Sequence, residues 1–228
     1  MMKLLSINKV LQHDVLDIVS INESELASCQ EIADYDYIII HGGDGTIRRV
    51  IKLLHTMVHN AHFILNPTGS FNVVAKLHRV PTLDTTLDML AQGQVPQIQE
   101  QTYYGLNDEV FLFSAGNMGD LQHIFLSETL RFGLLEKGMT KYLLSAFFLF
   151  PVHLIMTPFM LLSKRRFFIF TPLYFVKKFG SFYGEVKEMT IHLENHHNLV
   201  ELDGDIVTIE ASQLTISPLS TIKIVSLK

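Results

Sequence analysis

The sequence predicts an α/β fold: an N-terminal domain around a mostly parallel sheet, then a β-rich C-terminal domain with inserted apolar helices. In the first half, short apolar runs alternate with helical patterns, as in sheets whose strands are joined by helices. From Met189 onward apolar and polar residues alternate, which is typical of antiparallel strands with one solvated face. A very apolar helical segment lies between them, from about Leu121 to Phe175. We therefore expect domains over residues 1–94 and 95–228, with the last residues of the chain packing back on the first domain.

The elements of the N-terminal domain follow from the spacing of apolar residues. A short apolar run indicates a buried strand, and apolar residues that recur every three or four positions indicate a helix. Both predicted strands end in glycine-containing turns. The predicted elements are a helix around Ser24–Ala33, a strand at Tyr37–Ile40, a helix at Thr46–Val58, a strand at Ala61–Leu65, a helix from near Phe71 and a helix at Thr82–Ala91.

The C-terminal domain is predicted from strand-like alternation and turn signals. Val110–Ala115 indicates a strand, and Asn107-Asp108 before it suggests a hairpin. Asp203-Gly204 lies between two strand-like runs and suits a type I′ hairpin turn. Further strands are expected at Met189–Leu193, Gln213–Ser217 and Thr221–Leu227.

Composition narrows the classes of function. The chain has 228 residues and a formal net charge of -5, which gives no basic surface for nucleic acid, so we expect no nucleic-acid partner. Cys29 is its single cysteine, which excludes an internal disulfide and suits a reducing cytosol. The hydrophobic fraction of 48% and the mean hydropathy of +0.25 are high for a soluble protein.

One segment concentrates this hydrophobicity. Tyr142–Ser163 contains no Asp, Glu, Lys or Arg, and the basic run 164–166 follows it. Hydropathy makes this segment a candidate for a membrane span, but Pro151 and Pro158 would break a single helix. The favoured interpretation is a membrane-docking surface on a cytoplasmic, peripherally attached protein, and a true span and a buried core remain as alternatives.

The turn after the first predicted strand carries the strongest chemical signal. Residues 42–46 place Gly42, Gly43 and Gly45 around Asp44, followed by Thr46 at the start of a helix. Strand, glycine turn and helix bring backbone N–H groups and a helix N-terminus close to a phosphate. A carboxylate would repel phosphate, so Asp44 makes sense if it holds Mg²⁺ or orients a hydroxyl. The turn therefore predicts a nucleotide-type site.

Three separated segments resemble one family. Gly42-Gly43-Asp44-Gly45-Thr46, Pro67-Thr68-Gly69-Ser70-Phe71-Asn72 and Leu202-Asp203-Gly204-Asp205 are similar, in order and spacing, to the motifs of the diacylglycerol kinase catalytic-domain family, which includes bacterial lipid kinases and sphingosine kinases. The first motif is shared with NAD kinases, whereas the three together are much more specific. The resemblance covers about residues 34–228, and the chain is shortened at its N-terminus against the family pattern.

The resemblance implies a two-domain lipid kinase that uses ATP and Mg²⁺, with catalysis in the cleft between the domains. The partner would be a lipid substrate at a membrane surface, and a homodimer is left open. Asp205 stands where the family has its proposed general base, although the family usually has Glu there. The residues implied to bind the nucleotide are Gly42, Gly43, Asp44, Gly45, Thr46, Gly69, Ser70, Asn72 and, by a weaker match, Ser20, with Asp44 also as the catalytic magnesium ligand.

Two other functions remain open at this point. One is a soluble kinase of the NAD kinase type, which shares the Gly42–Thr46 motif. Such a kinase gives no reason for the apolar segment around Tyr142–Phe175. The other is a catalytically weak or inert homologue that binds lipid or nucleotide, which the shortened N-terminus and the shorter side chain of Asp205 suggest.

Overall fold

Residues 2–29, 31–117, 147, 151, 167–173, 182–184 and 186–227 are described by the computed structural model. The chain divides into two units: Met1–Tyr103 with Ser220–Lys228, and Tyr104–Leu219. The predicted inserted helices and membrane-docking surface fall almost entirely outside the described residues. Within the described ranges, no helix is long and apolar enough to cross a membrane.

The first unit is built on a parallel sheet. Its strands lie in the order β2-β1-β3-β4-β13, and every pair recorded among them is parallel. The central strand is buried along its whole length, because helices cover both faces of such a sheet. The strands are β1 (Lys3–Ile7), β2 (Asp17–Ile21), β3 (Tyr37–Gly42), β4 (His62–Pro67) and the final residues of β13 (Gln213–Ser226).

Three helices flank this sheet: α1 (Asp44–Leu54), α2 (Val73–Leu77) and α3 (Leu83–Ala91). α1 packs against β3 and α3 packs against β4. Alternate residues of the strands therefore face different helices. One cluster joins the sheet to α3 and contains Leu4, Leu16, Tyr37, Ile39, Ile64, Leu83, Leu87, Leu90 and Val225.

The second unit is rich in short strands, as predicted. One sheet has the order β12-β11-β7-β8-β9, and an antiparallel hairpin joins β5 to β6 through Asn107-Asp108. β10 pairs antiparallel with the first part of β13. Only the last three residues of β5 (Gln97–Leu106) belong to this unit. Its other strands are β6 (Glu109–Phe111), β7 (Ser114–Gly116), β8 (Phe168–Phe170), β9 (Phe182–Tyr183), β10 (Met189–His192), β11 (His197–Leu202) and β12 (Asp205–Glu210).

Several predicted elements differ from the structure. The helix expected around Ser24–Ala33 is replaced by two 3₁₀ turns, Glu23–Ser28 and Ile32–Asp34, because its buried apolar residues, Leu26 and Ile32, are too far apart to form a helical stripe. The two strands expected at the C-terminus form one continuous strand, β13.

β2 was not predicted. Its sequence is only partly apolar and its burial is partial, since it lies at the edge of the sheet. An edge strand gives a weaker pattern than the fully buried β3.

Candidate functional site

The two glycine turns lie side by side at the carboxyl ends of neighbouring strands. Gly42 ends β3, Pro67 ends β4, and the two residues are paired in the sheet. The Thr68 N–H donates to the Gly42 carbonyl at 3.1 Å, which continues the pairing into the turns. Ligands in parallel sheets bind outside the carboxyl ends of the strands, so both turns occupy the expected position.

The glycines are required because the two turns touch through their backbones. A Cβ on Gly69 would lie 2.7 Å from the Cα of Gly43, and a Cβ on Gly43 would lie 3.1 Å from the Cα of Gly69. A Cβ on Gly42 would lie 2.4 Å from the Cβ of Thr46. The distances of 2.7 and 2.4 Å are shorter than nonbonded carbon atoms tolerate, and 3.1 Å is tighter than most such contacts. Gly43 and Gly69 therefore allow close backbone approach between the turns, and Gly42 leaves room for the Thr46 side chain.

Asp44 connects the first turn to the helix that follows the second. It is the first residue of α1, and its carboxylate accepts the Val73 N–H at 2.8 Å and the Val74 N–H at 3.1 Å. These are the first two residues of α2, whose N–H groups have no partner within their own helix. Asp44 therefore stabilises the N-terminus of α2 across 29 residues of sequence.

Burial also affects the ionisation of Asp44. The side chain is only 8% exposed, and its desolvation raises the pKa of the carboxyl, while the two N–H donors and the charge of Lys76 act in the opposite direction. The carboxylate is thus held in a weakly solvated position by backbone hydrogen bonds.

Asn72 shapes the second turn. Its backbone is left-handed, with φ of 49°, a conformation that Asn tolerates better than most residues. Its side-chain oxygen accepts the Gly69 N–H at 3.0 Å, and its side-chain nitrogen donates to the Gly69 carbonyl at 2.7 Å. The Gly69 N–H is therefore engaged within the turn. The neighbouring Ser70 is half-buried.

The N-terminus of α1 is a better anion site than the second turn. The first four N–H groups of a helix lack intrahelical partners and carry the positive end of the helix dipole. Gly43, Gly45 and Thr46 supply N–H groups there and are only half-buried. Arg49, one turn later, donates to the Thr46 hydroxyl at 3.3 Å and to Glu23 at 2.7 Å. Backbone donors thus lie at the end of this helix, beside the Arg49–Glu23 ion pair.

Ser20 is less directly connected to these turns. It lies near the carboxyl end of β2, and its hydroxyl accepts the Leu11 N–H at 3.2 Å. β1 separates β2 from β3 in the sheet. Its role as a nucleotide contact stays a prediction.

A polar chain that the sequence did not suggest crosses the same strand ends. His41 is 8% exposed, and its ring nitrogens contact Ser6 Oγ at 3.1 Å and Asn66 Nδ2 at 2.8 Å. Burial, and to a smaller degree the charge of Lys9, lowers the pKa of His41 to about 4. The imidazole is therefore neutral at physiological pH. The available signal was a polar residue closing the apolar run at 38–40.

The lowered pKa of His41 makes the folded protein sensitive to acid. Below pH 6.5 the unfolded chain binds a proton at this histidine, whereas the folded chain does so only near pH 4. We expect the free energy of unfolding to fall by about 2–3 kcal/mol over this interval because of His41 alone. Urea denaturation between pH 7 and pH 4 measures the change.

The variant His41→Phe provides the comparison for this acid sensitivity. His59 and His62 also have lowered pKa values because of burial, so the wild type alone does not isolate His41. The loss of stability toward acid should be about 2–3 kcal/mol smaller in the variant. Parallel curves for the two proteins would contradict the assignment.

In the second unit, the third motif forms the predicted hairpin. Leu202 pairs with Asp205, and the two residues between them, Asp203 and Gly204, have φ values of 51° and 91°. Positive φ at both central residues is what a type I′ turn requires. Asp205 is the first residue of β12 and is half-buried.

Asp203 is a structural residue of this unit. It is 2% exposed, and its carboxylate accepts the N–H groups of Leu112, Phe113 and Ser114 at 2.6, 2.9 and 2.9 Å. Three backbone donors on one buried carboxylate fix the hairpin tip to the loop before β7. This contact also explains why the predicted strand at Val110–Ala115 is interrupted after Phe111.

Glu201 is a second buried carboxylate that sequence reasoning missed. It is 4% exposed and accepts hydrogen bonds from the Ser114 hydroxyl at 3.0 Å and from the Gly204 N–H. No motif singled it out, because a lone Glu in a strand usually faces solvent. Glu201 and Asp203 together hold the turn that presents Asp205.

The described residues could bind a metal ion only together with ligands from another bound molecule. Among the described residues, no group of three or more His, Cys, Asp or Glu side chains could hold a metal ion. Asp44 is the one carboxylate at the turns predicted as a magnesium ligand, and both of its oxygens already accept backbone N–H groups. Mg²⁺ in kinases is bound through one or two carboxylates together with substrate phosphates. The donor set therefore fits an ion that arrives with a nucleotide.

Comparison with solved structures supports the fold. A diacylglycerol kinase from Bacillus anthracis str. Sterne is 15% identical, with a TM-score of 0.59 over 99% of this chain and 97% of that chain. Two further structures from the same strain, 16% and 14% identical, give TM-scores of 0.57 and 0.59 at the same coverage. An NAD kinase from Archaeoglobus fulgidus in complex with ATP is more distant, at 12% identity and a TM-score of 0.48 over 99% and 93% of the two chains.

Sequence comparison finds a match for only part of the chain. No curated protein matches it. The family model of the diacylglycerol kinase catalytic domain matches residues 3–101, which include the first two motifs. The resemblance expected from the motifs is thereby confirmed: residues 3–101 match the diacylglycerol kinase catalytic-domain family.

Proposed function

We propose that this protein is an ATP-dependent lipid kinase, which phosphorylates a hydroxyl of a diacylglycerol-like or long-chain lipid. The observation that carries the proposal is the backbone contact between Gly43 and Gly69, in a segment that matches the diacylglycerol kinase catalytic domain. The N–H groups of Gly69, Val73 and Val74 already donate to side chains, which makes the N-terminus of α1 the better phosphate site.

The first unit supplies the nucleotide site in this proposal. The N–H groups of Gly43, Gly45 and Thr46 bind phosphate oxygens, and Arg49, which is paired with Glu23, donates to the Thr46 hydroxyl beside them. Asp44 and Asn72 act by holding the two turns in place. When Mg²⁺ is bound with ATP, it neutralises part of the phosphate charge.

The second unit supplies the general base. Asp205 takes the proton of the lipid hydroxyl while that oxygen attacks the γ-phosphorus, and the bond from the γ-phosphorus to the bridging oxygen breaks to release ADP. Asp203 and Glu201 are committed to buried hydrogen bonds, whereas Asp205 is half-buried. Of the three acids around this hairpin, Asp205 is therefore the best suited to reach a substrate.

The proposal is tested with γ-labelled ATP, Mg²⁺ and vesicles that contain diacylglycerol, ceramide or sphingosine, alongside soluble NAD. We expect label in at least one lipid and none in NAD. Asp205→Asn should reduce transfer by at least about a hundredfold and change ATP affinity by less than about twofold, since the base acts only on the acceptor. Asp108→Asn, which removes a carboxylate from the exposed β5–β6 turn, is the matched control and should keep full activity.

Two other outcomes would each replace the proposal, and a third would correct the assignment of the general base. Transfer to NAD alone would indicate a kinase of the NAD kinase type. ATP binding without transfer to any acceptor would indicate an inert nucleotide-binding homologue. Full activity of Asp205→Asn would move the general base to another residue.

A lipid acceptor also implies contact with a membrane. The apolar segment around residues 142–163, with its basic flank, supports peripheral attachment at the cytoplasmic face. Release of the protein from membranes by high salt or carbonate, without detergent, is the expected behaviour. A requirement for detergent would indicate integral attachment.

A further inference from the structure

The Ser6–His41–Asn66 hydrogen-bond chain joins three adjacent strands where they end. Ser6 lies in β1, and His41 and Asn66 are neighbours across β3 and β4. We propose that His41 is a positioning residue, which holds the two glycine turns at the spacing that ATP binding requires. This inference rests on the proposed function, because it concerns the nucleotide site of that kinase.

The directions of the hydrogen bonds define one state of the histidine ring. The Ser6 hydroxyl donates its proton to the Lys9 carbonyl at 2.6 Å, so its oxygen accepts from His41 Nε2–H. Asn66 Nδ2 is a donor, so His41 Nδ1 must accept. The neutral tautomer with the proton on Nε2 is therefore the one that satisfies all three side chains.

The Ser6–His41–Asn66 hydrogen bonds lie directly before the two turns. His41 directly precedes Gly42, and Asn66 directly precedes Pro67. The turns that begin there meet at Gly43 and Gly69, where a methyl group would already lie within 3.1 Å of the opposing Cα. Backbones in such close contact leave little freedom, so a small shift of either strand end changes the gap between the turns.

The same series of hydrogen bonds extends to the loop after β1. Its last acceptor is the carbonyl of Lys9, two residues after β1 ends. Ser6 is fully buried, so its hydroxyl needs the partners it has. His41 thus links the ends of β1, β3 and β4, and its loss would leave the buried Ser6 oxygen and the half-buried Asn66 amide without their shared partner.

The test replaces His41 by phenylalanine, which keeps an aromatic ring and removes both hydrogen bonds. His78→Phe is the matched control, because His78 is 7% exposed and bonds Gln99 and Gln101 at 3.0 and 2.9 Å. Two readouts are compared: the dissociation constant for ATP, and the hydrogen exchange of the Thr68 amide, which bonds to Gly42. Both are measured well below the melting temperature of each variant.

We expect His41→Phe to weaken ATP binding by at least about tenfold and to speed Thr68 exchange by at least about tenfold. His78→Phe should change both by less than about twofold. Equal effects of the two variants, or unchanged values in His41→Phe, would overturn the proposal.

A measurement on the wild type removes the dependence on variant folding and on the proposed function. Nitrogen NMR of His41 at pH 7 should show a neutral ring with the proton on Nε2, and a proton on Nδ1 would overturn the inference. If the wild type does not bind ATP, the proposed kinase function fails. In that case the ring tautomer and the hydrogen exchange of the Thr68 amide still test whether His41 positions the turns.

Discussion

Replacing Asp44 by asparagine is expected to lower the free energy of unfolding by about 3 kcal/mol and to weaken ATP binding by at least about a hundredfold. The carboxylate accepts two N–H groups at the start of α2, and it is nearly inaccessible to water. An asparagine offers one acceptor and turns an NH₂ group toward the other N–H, so two donors face each other without water.

The expected effect on ATP follows from what Asp44 connects. It lies within the first glycine turn and holds the helix that begins just after the second. Without this bridge the backbone N–H groups of the turns lose their fixed geometry, which preorganised anion sites require.

Chemical denaturation and equilibrium ATP binding measure the two effects separately. Asp84→Asn is the matched control, since Asp84 is an exposed carboxylate in the first turn of α3, and it should lose no more than about 1 kcal/mol. Wild-type stability combined with lost ATP binding would show that Asp44 acts on the nucleotide or its metal ion, and would contradict its role as a helix cap.

Gly69→Ala is the second substitution with a large expected effect. The added methyl carbon would lie 2.7 Å from the Gly43 Cα and 2.8 Å from Asn72 Oδ1. The first of these atoms is backbone and has no rotamer to change. The turns must therefore separate, and we expect ATP affinity to fall by at least about thirtyfold, with a loss of stability of about 1–3 kcal/mol.

Gly93→Ala separates the contact from the general cost of replacing glycine. Gly93 has φ of +71° and no atom within 4 Å of an added Cβ, so alanine there pays only backbone strain, about 1–2 kcal/mol. Isothermal titration with ATP and thermal unfolding should show similar destabilisation in both variants but normal ATP affinity in Gly93→Ala. Normal affinity in Gly69→Ala as well would mean that the contact between the turns has no part in binding.

The parts of the fold that follow from local sequence were predicted well. β3 and β4 each contain a short apolar run, and α1 has a clear apolar stripe, so their existence and order were evident. The hairpin turns at Asn107-Asp108 and Asp203-Gly204 were also evident, since few residues tolerate positive φ.

Element ends and edges were harder to predict. α1 ends at Leu54 rather than continuing to Val58, which is 85% exposed and has nothing to pack against. β2 was not predicted because half-exposed edge strands contain both apolar and polar residues without a clear period. Such boundaries depend on what the neighbouring elements cover, and this information is absent from the local sequence.

Within the candidate site, the glycine positions could be predicted and the partners of the acids could not. Asp44, Asp203 and Asp205 all belong to recognised motifs, yet the first two bind backbone N–H groups and the third is half-buried. His41 and Glu201 belong to no motif and were found only because the structure shows their burial and partners.

The sequence by itself determined the strand, glycine turn and helix at residues 37–54, because glycine content and apolar period act locally through backbone freedom and burial. Only the tertiary structure decided what each acid contacts. The partners of Asp44 lie 29 and 30 residues away, and those of Asp203 lie 89 to 91 residues away. A carboxylate can cap a helix, hold a loop or take a proton, and the choice depends on which distant backbone groups folding brings within about 3 Å.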